Sequence, residues 1–138
     1  PLTDINMTRF FISIEGAVNF IFNCFSRMQG GEIFIPKLPT IKIVDIANCL
    51  KGKNKIKIVG PRPGEKLHEV LCTRDDSNYT YENKYSYIIV PSIELPERNI
   101  KPKKLKGFKK VKKGFEYSSL TNINYLSKNK IINLIKKA

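Results

Sequence analysis

Apolar and polar positions along the chain change period several times, and each change marks an element. Met7 to Ile12 sets Phe10, Phe11 and Ile12 beside a single cation, Arg9, an aromatic and β-branched stretch that predicts a strand or extended segment. The period then becomes helical. Ile14, Ala17, Val18, Ile21, Cys24, Phe25 and Met28 recur at three- and four-residue spacing, and Phe20 and Phe22 widen the stripe. Ser13 is a ready N-cap, Glu15 favours the first turn, and Gly30-Gly31 supplies the stop. This predicts a helix packed on at least one side, with its Phe and Met content as core. Glu32 to Ile35 reads as a short strand stopped by Pro36, and residues 37–40 as a loop. Ile43, Val44, Ile46, Ala47 and Leu50 mark a second, shorter helix ending near Gly52. Lys55 to Val59 alternates lysine with Ile or Val, which predicts a strand with one wet face.

The second half is shorter in wavelength. Thr73 and Asp76 have cap spacing for a short helix, residues 78–84 read as a polar loop, and Tyr85 to Val90 as a strand. Residues 115–119 resume order. A last helix begins at Leu126-Ser127, with Ile131, Ile132 and Ile135 on one face and lysines at its C-terminal end, where the helix dipole favours them. Short strands and helices without an internal repeat define the class as α/β.

The densest chemistry lies at Gly60-Pro61-Arg62-Pro63-Gly64-Glu65-Lys66-Leu67-His68-Glu69-Val70. Pro63 keeps Arg62 off helical torsions, and Gly64 permits positive φ or close approach of a ligand. A rigid corner of this kind aims a guanidinium and a carboxylate at one spot. The planar fork of Arg62 suits a phosphate, and Glu65 suits a pair of sugar hydroxyls, so the corner fits a nucleotide. The same residues also fit a tight turn closed by an Arg–Glu ion pair. Arg9, flanked by bulky apolar residues, is a second candidate ligand; its plainer reading is a core-edge arginine paired with a carboxylate.

Composition narrows the picture modestly. The 138 residues are 41% hydrophobic and 27% charged, which fits one ordinary globular domain. No apolar run is long enough to cross a bilayer, so no membrane partner is expected. The chain opens Pro1-Leu2-Thr3-Asp4 and reads as part of something longer. A formal net charge of +13 and the lysine-rich 101–113 segment, interleaved with Phe108, raise a basic nucleic-acid-binding module as a rival class. A solvated basic surface loop accounts for the same residues. Cys24, Cys49 and Cys72 match no zinc spacing and read as buried free thiols in a reducing, cytoplasmic setting. His68 is the only histidine and reads as a hydrogen-bonded structural residue; no nucleophile triad, metal set or Gly-rich dinucleotide motif is present.

Several stretches in this order resemble one family. They are Met7-Thr8-Arg9-Phe10, Arg27 to Lys37, Ile43 to Ala47, Arg62-Pro63-Gly64-Glu65-Lys66-Leu67-His68-Glu69-Val70-Leu71, and Phe115-Glu116-Tyr117-Ser118-Ser119. Together they resemble the C-terminal, substrate-binding part of the inverting UDP-N-acetylglucosamine 4,6-dehydratases, which are extended short-chain dehydrogenase/reductases of polysaccharide biosynthesis. Retaining dehydratases and sugar-nucleotide epimerases are the nearest alternatives. Pro61 departs from the aliphatic residue the resemblance leads one to expect there.

The resemblance implies a small α/β substrate-binding subdomain whose Rossmann half is missing. It further implies a UDP-sugar-binding subdomain over 1–96, a basic surface loop over 97–114, and a C-terminal strand and helix over 115–138 packing on the subdomain. Arg9, Arg62 and Glu65 are implied as the residues that hold the UDP-sugar, with no catalytic, cofactor-binding or metal residue in this chain. The complete enzyme is implied to carry NADP and to be a homo-oligomer acting in pseudaminic acid synthesis, while this chain alone is inactive.

Overall fold

A computed structural model of the protein describes residues 1–92 and 105–137. It is a mixed α/β structure of short strands with three α-helices among the described residues. The chain divides into two compact units and passes between them several times. Residues 1–96, expected as one subdomain, contribute to both.

The first unit contains Pro1–Phe11, Leu38–Val70 and the C-terminal stretch from Ser118. Its strand β1 (Thr8–Phe10) is where the aromatic, β-branched pattern placed a strand, and it pairs antiparallel with β3 (Thr40–Lys42), Arg9 lying opposite Ile41. Sequence reasoning left Thr40 in a loop and missed β3, because three residues after a proline carry almost no period. Helix α2 (Ile43–Leu50) follows directly, as expected, and Gly52 just beyond it takes positive φ. The core holds Leu2, Met7, Ile41 and, from the last helix, Ile131. The strand expected over 55–59 is reduced to a single parallel bridge between Ile58 and Leu2. Leu2 donates its amide to Lys57 and accepts from Val59, while Ile58 and Val59 stay more than half exposed. The alternation was real, but no second strand lies beside it to make a ladder.

The second unit contains Ile12–Lys37 and Leu71–Tyr117. Helix α1 (Ile14–Phe25) starts where predicted: the Ser13 hydroxyl accepts from the Gly16 amide at 3.0 Å. It ends at Phe25, short of Met28. Gly30 and Gly31 take positive φ in the loop that follows, where the Glu32 carboxylate accepts from the amides of Gln29 and Gly30. No α1 residue is buried, so the expectation that its Phe and Met content forms core is not met within this chain.

An antiparallel sheet organises the rest of the unit in the order β2-β6-β5-β7, with β2 (Ile33–Pro36), β5 (Thr80–Glu82), β6 (Ser86–Ile89) and β7 (Lys109–Lys110). Strands β4 (Val70–Cys72) and β8 (Tyr117–Ser118) each run across a boundary between the units. The cap predicted at Thr73 is present: its amide and hydroxyl reach Asp76 Oδ2 at 2.9 and 2.6 Å and its hydroxyl accepts from the Asp76 amide, at the start of a 3₁₀ turn over Asp75–Tyr79.

Two corrections concern polar sequence. Residues 80–82, expected as loop, form β5, because Glu82 is balanced by Lys37 at 2.6 Å and Thr80 is buried under the sheet. Within the expected basic loop, Lys109 and Lys110 form edge strand β7 opposite Glu82 and Tyr81, and Val111 beyond them is buried. Lysines on an edge strand also discourage pairing with a second chain. Residues 97–104 of that loop lie outside the described residues. Tyr87 stacks on Phe115 and Tyr117 at centroid distances of 5.0 and 4.8 Å, which closes the core around Ile35, Ile88 and Cys72.

Candidate functional site

The corner predicted around Arg62 is built, and in an unexpected way. Gly60 and Gly64 both take positive φ, 82° and 80°. A Cβ at either would meet nothing within 4 Å, so the backbone torsion, not crowding, is what requires glycine. Glu65 closes the turn through the main chain. Its amide donates to the Arg62 carbonyl at 3.0 Å, and its carboxylate accepts from the Arg62 amide at 3.1 Å and from the Thr3 hydroxyl at 3.3 Å. No Arg62–Glu65 ion pair closes the turn. The Arg62 side chain is exposed and has no carboxylate partner among the described residues.

Arg9 is used differently. Its Nη1 donates to the carbonyls of Thr8 and Leu67 at 2.7 and 3.1 Å, and its Nη2 donates to that of Lys66 at 2.6 Å. Its Nε lies 3.3 Å from Glu69. Three of these four contacts go to the segment that follows the corner and the fourth to the Thr8 carbonyl on its own strand, leaving one N–H on Nη2. A planar fork is needed to meet three carbonyls and a carboxylate at once, which a lysine's point charge cannot do.

A second set of bonds pins the same segment from below. Thr8 Oγ1 lies 2.7 Å from His68 Nδ1 and 2.7 Å from Ser119 Oγ. Ser119 accepts from the Glu69 amide at 2.9 Å, its own amide donates to the Glu69 carbonyl at 2.8 Å, and the Thr8 amide donates to the Leu67 carbonyl at 3.1 Å. Each hydroxyl has one proton. If Ser119 donates to Thr8, Thr8 donates to a neutral His68 Nδ1. If His68 donates, Thr8 donates to Ser119, which in turn donates to the Thr8 carbonyl at 3.3 Å. Both directions leave every group partnered. No buried side-chain nitrogen or oxygen among the described residues lacks a partner.

The network joins positions 60 and 111 residues apart into one cluster. It explains why Met7-Thr8-Arg9-Phe10, the Arg62 corner and the Tyr117-Ser118-Ser119 stretch occur together: Thr8, Arg9 and Ser119 hold residues 66–69, and the held segment carries the corner. Sequence reasoning singled out Arg9, Arg62 and Glu65 as candidates and expected a hydrogen-bonded His68, and His68 is hydrogen-bonded to Thr8. It did not anticipate that Thr8, Glu69 and Ser119 join this cluster, since a hydroxyl or carboxylate has no period to betray it.

Chemically the cluster presents one guanidinium without a carboxylate partner among the described residues, and its hydroxyl–imidazole pair, Thr8 and His68, has the Thr8 hydroxyl buried and engaged by Ser119. No group of three or more His, Cys, Asp or Glu that could hold a metal ion occurs among the described residues. The cysteines are free, Cys72 buried and the other two half-buried. Burial, as the leading cause, pushes the Cys72 thiol up, which disfavours its thiolate. No helix among the described residues is long and apolar enough to cross a membrane.

The model of a family described as polysaccharide biosynthesis protein matches residues 1–91. The chain belongs to this family. Among curated relatives it is 46% identical, over 98% of its own length, to the UDP-N-acetylglucosamine 4,6-dehydratase (inverting) of Campylobacter jejuni subsp. jejuni serotype O:23/36 (strain 81-176), covering 41% of that protein. It is 37% identical to the UDP-glucose 4-epimerase of Rickettsia canadensis (strain McKiel) over 54% of this chain and 23% of that protein. Among solved structures it resembles the X-ray structure of Pen from Bacillus thuringiensis, with a TM-score of 0.79 and 28% identity, over 99% of this chain and 40% of that one. The chain therefore spans about two-fifths of the length of the curated dehydratase it matches. Arg9, Arg62, Glu65 and His68 all fall within the part matched by the polysaccharide biosynthesis model, whereas Ser119, which bonds to Thr8 and Glu69, lies beyond it.

Proposed function

We propose that this chain is the UDP-sugar-holding part of an inverting UDP-N-acetylglucosamine 4,6-dehydratase. The observation that carries the reading is the exposed Arg62 guanidinium, unpaired among the described residues, on a turn whose Glu65 carboxylate is taken up by the Arg62 amide and the Thr3 hydroxyl. An unpaired guanidinium on a rigid turn binds an anion without first breaking an internal ion pair. The high identity to the Campylobacter dehydratase supplies the substrate class.

In this reading Arg62 meets the diphosphate. Glu65 keeps one lone pair on each carboxylate oxygen for the ribose hydroxyls, and Arg9 holds the corner in place and offers its remaining N–H to the same ligand. No described strand runs into a Gly-rich turn and helix start of the kind that cradles a dinucleotide pyrophosphate. In this reading NADP is held by the part of the protein outside this chain, where it would supply a reversible hydride acceptor for sugar oxidation and reduction. This chain's share is binding and orientation, and by itself it is inactive. The complete protein is a cytoplasmic homo-oligomer that opens pseudaminic acid synthesis for surface polysaccharide or flagellin glycosylation; the three free cysteines accord with a reducing compartment.

Calorimetric titration of the chain with UDP and with UDP-N-acetylglucosamine tests this. Binding is expected, and Arg62→Ala should weaken it about 10- to 100-fold, the effect of losing one or two charge-assisted bonds. Absence of binding to the unaltered chain at millimolar ligand, or equal binding by the variant, would overturn the assignment. Turnover of UDP-N-acetylglucosamine by the chain alone would overturn its non-catalytic part.

A further inference from the structure

Helix α1 has three distinct faces. At about 100° per residue, Glu15, Asn19 and Asn23 form a polar arc, with the Asn23 side chain bonded back to the Asn19 carbonyl. Gly16, Ala17, Phe20 and Cys24 form a second arc that is half-buried within the unit. Ile14, Val18, Ile21, Phe22 and Phe25 form the third, and it is bare: Ile14 is 87% exposed, Phe22 68% and Phe25 64%. The two apolar arcs together are wider than the single stripe of a helix lying on one surface. The unit covers one and leaves the more hydrophobic one open. Met28 continues this arc beyond the helix end, and Phe20, Ile21, Cys24, Phe25, Met28 and Phe34 border a hollow of about 270 Å³ at its edge.

We infer that the bare arc of α1 is a docking face for the polypeptide that the dehydratase relatives carry outside the matched stretch, about three-fifths of their length. The face carries no charged side chain. An uncharged, aromatic-rich patch has the composition of a permanent interface, resembling a domain core cut in two, and not of a transient contact with a polar rim. A second copy of this chain is the poorer occupant, since each copy brings a formal charge of +13 and repels the other. The inference goes beyond the nucleotide reading and does not depend on it, because α1 and the Arg62 corner belong to different units.

The test is a chimera in which this chain replaces the matched stretch of the Campylobacter jejuni strain 81-176 dehydratase, compared with the chain alone. Amide hydrogen exchange of residues 14–25 should slow at least tenfold in the chimera. Phe22→Asp/Phe25→Asp should lower the melting temperature of the chimera by several degrees and leave that of the isolated chain unchanged. The proposal is overturned if α1 exchanges equally fast in both proteins, if the paired substitution is harmless in the chimera, or if the chimera fails to fold. It is also overturned if the isolated chain sediments as a dimer that the same substitution dissociates, for then a second copy covers the face. Whether the chimera binds UDP is a separate readout and decides only the nucleotide reading.

Discussion

The two units finish their chemistry to different degrees. In the first, the segment behind Arg62 is held by side chains from β1 and from Ser119, and Ser119 is fully buried with its hydroxyl satisfied. In the second, α1 is well formed, correctly capped and half covered. Polar side chains must find partners inside the fold or reach water, so a buried polar network closes locally or does not form. An apolar face has no such obligation. It is tolerated on a surface at a modest cost until something covers it, so the bare arc remains open, whereas the closed network holds its segment without help from outside.

The comparison can be broken or sharpened in order of effect. Arg9→Met should cost the first unit about 3 kcal/mol, because three contacts to residues 66–69 and one to the Thr8 carbonyl disappear together. Urea unfolding with exchange read at residues 65–70 checks this, and an effect below about 1 kcal/mol would mean that the hydroxyl bonds alone hold the segment.

Next comes the closed side of the second unit. The Tyr87 phenol is pushed up from 10.0 to about 12, first by burial, then by Glu82, Tyr117 and Cys72. Its folded-state pKa is raised, so the stability it contributes is fully present below pH 10 and is lost as pH rises through 12, about 2–3 kcal/mol in all. Cys72 adds a loss of the same sign that starts from its ordinary 9.0. Chemical unfolding at pH 9 and pH 12 should therefore show a smaller loss in Tyr87→Phe than in the unaltered chain. Parallel losses in the two proteins would show that the ring cluster does not exclude water.

Ser119→Ala should cost about 2 kcal/mol by leaving the Glu69 amide and the Thr8 hydroxyl short of a partner. It should also loosen the corner without touching Arg62. If UDP binds the unaltered chain, this variant should bind it several-fold more weakly while its unfolding midpoint shifts only in proportion to the stability lost. The smallest effect belongs to Ser13→Ala, about 1 kcal/mol for a lost N-cap. With no buried α1 residue to tie the helix to global unfolding, the loss should appear as reduced ellipticity at an unchanged melting temperature in the chain alone.

Much of this was legible beforehand where the signal is local. Ser13 and Thr73 each announce a cap because the bond partner lies three residues on. Gly60 and Gly64 announce a turn because a positive φ is a property of one residue. Strands β3, β5 and β7 were missed because two or three residues carry no period, and their pairing depends on partners far along the chain. The candidate site shows the same division. Arg62 stood out between two prolines, but the sequence could not say whether its guanidinium was free or tied to Glu65.

The sequence by itself determined the helices, the caps at Ser13 and Thr73, the sharp corner and, through resemblance, the polysaccharide biosynthesis family, because each rests on neighbouring residues or on a motif that needs no geometry. Only the tertiary structure decided that Arg9 is largely consumed in holding residues 66–69, that Ser119 completes the network, and that the apolar arc of α1 is left bare. Those are questions of which distant groups share a bond and which surfaces stay uncovered, and such outcomes depend on how separated segments pack, which no local spacing records.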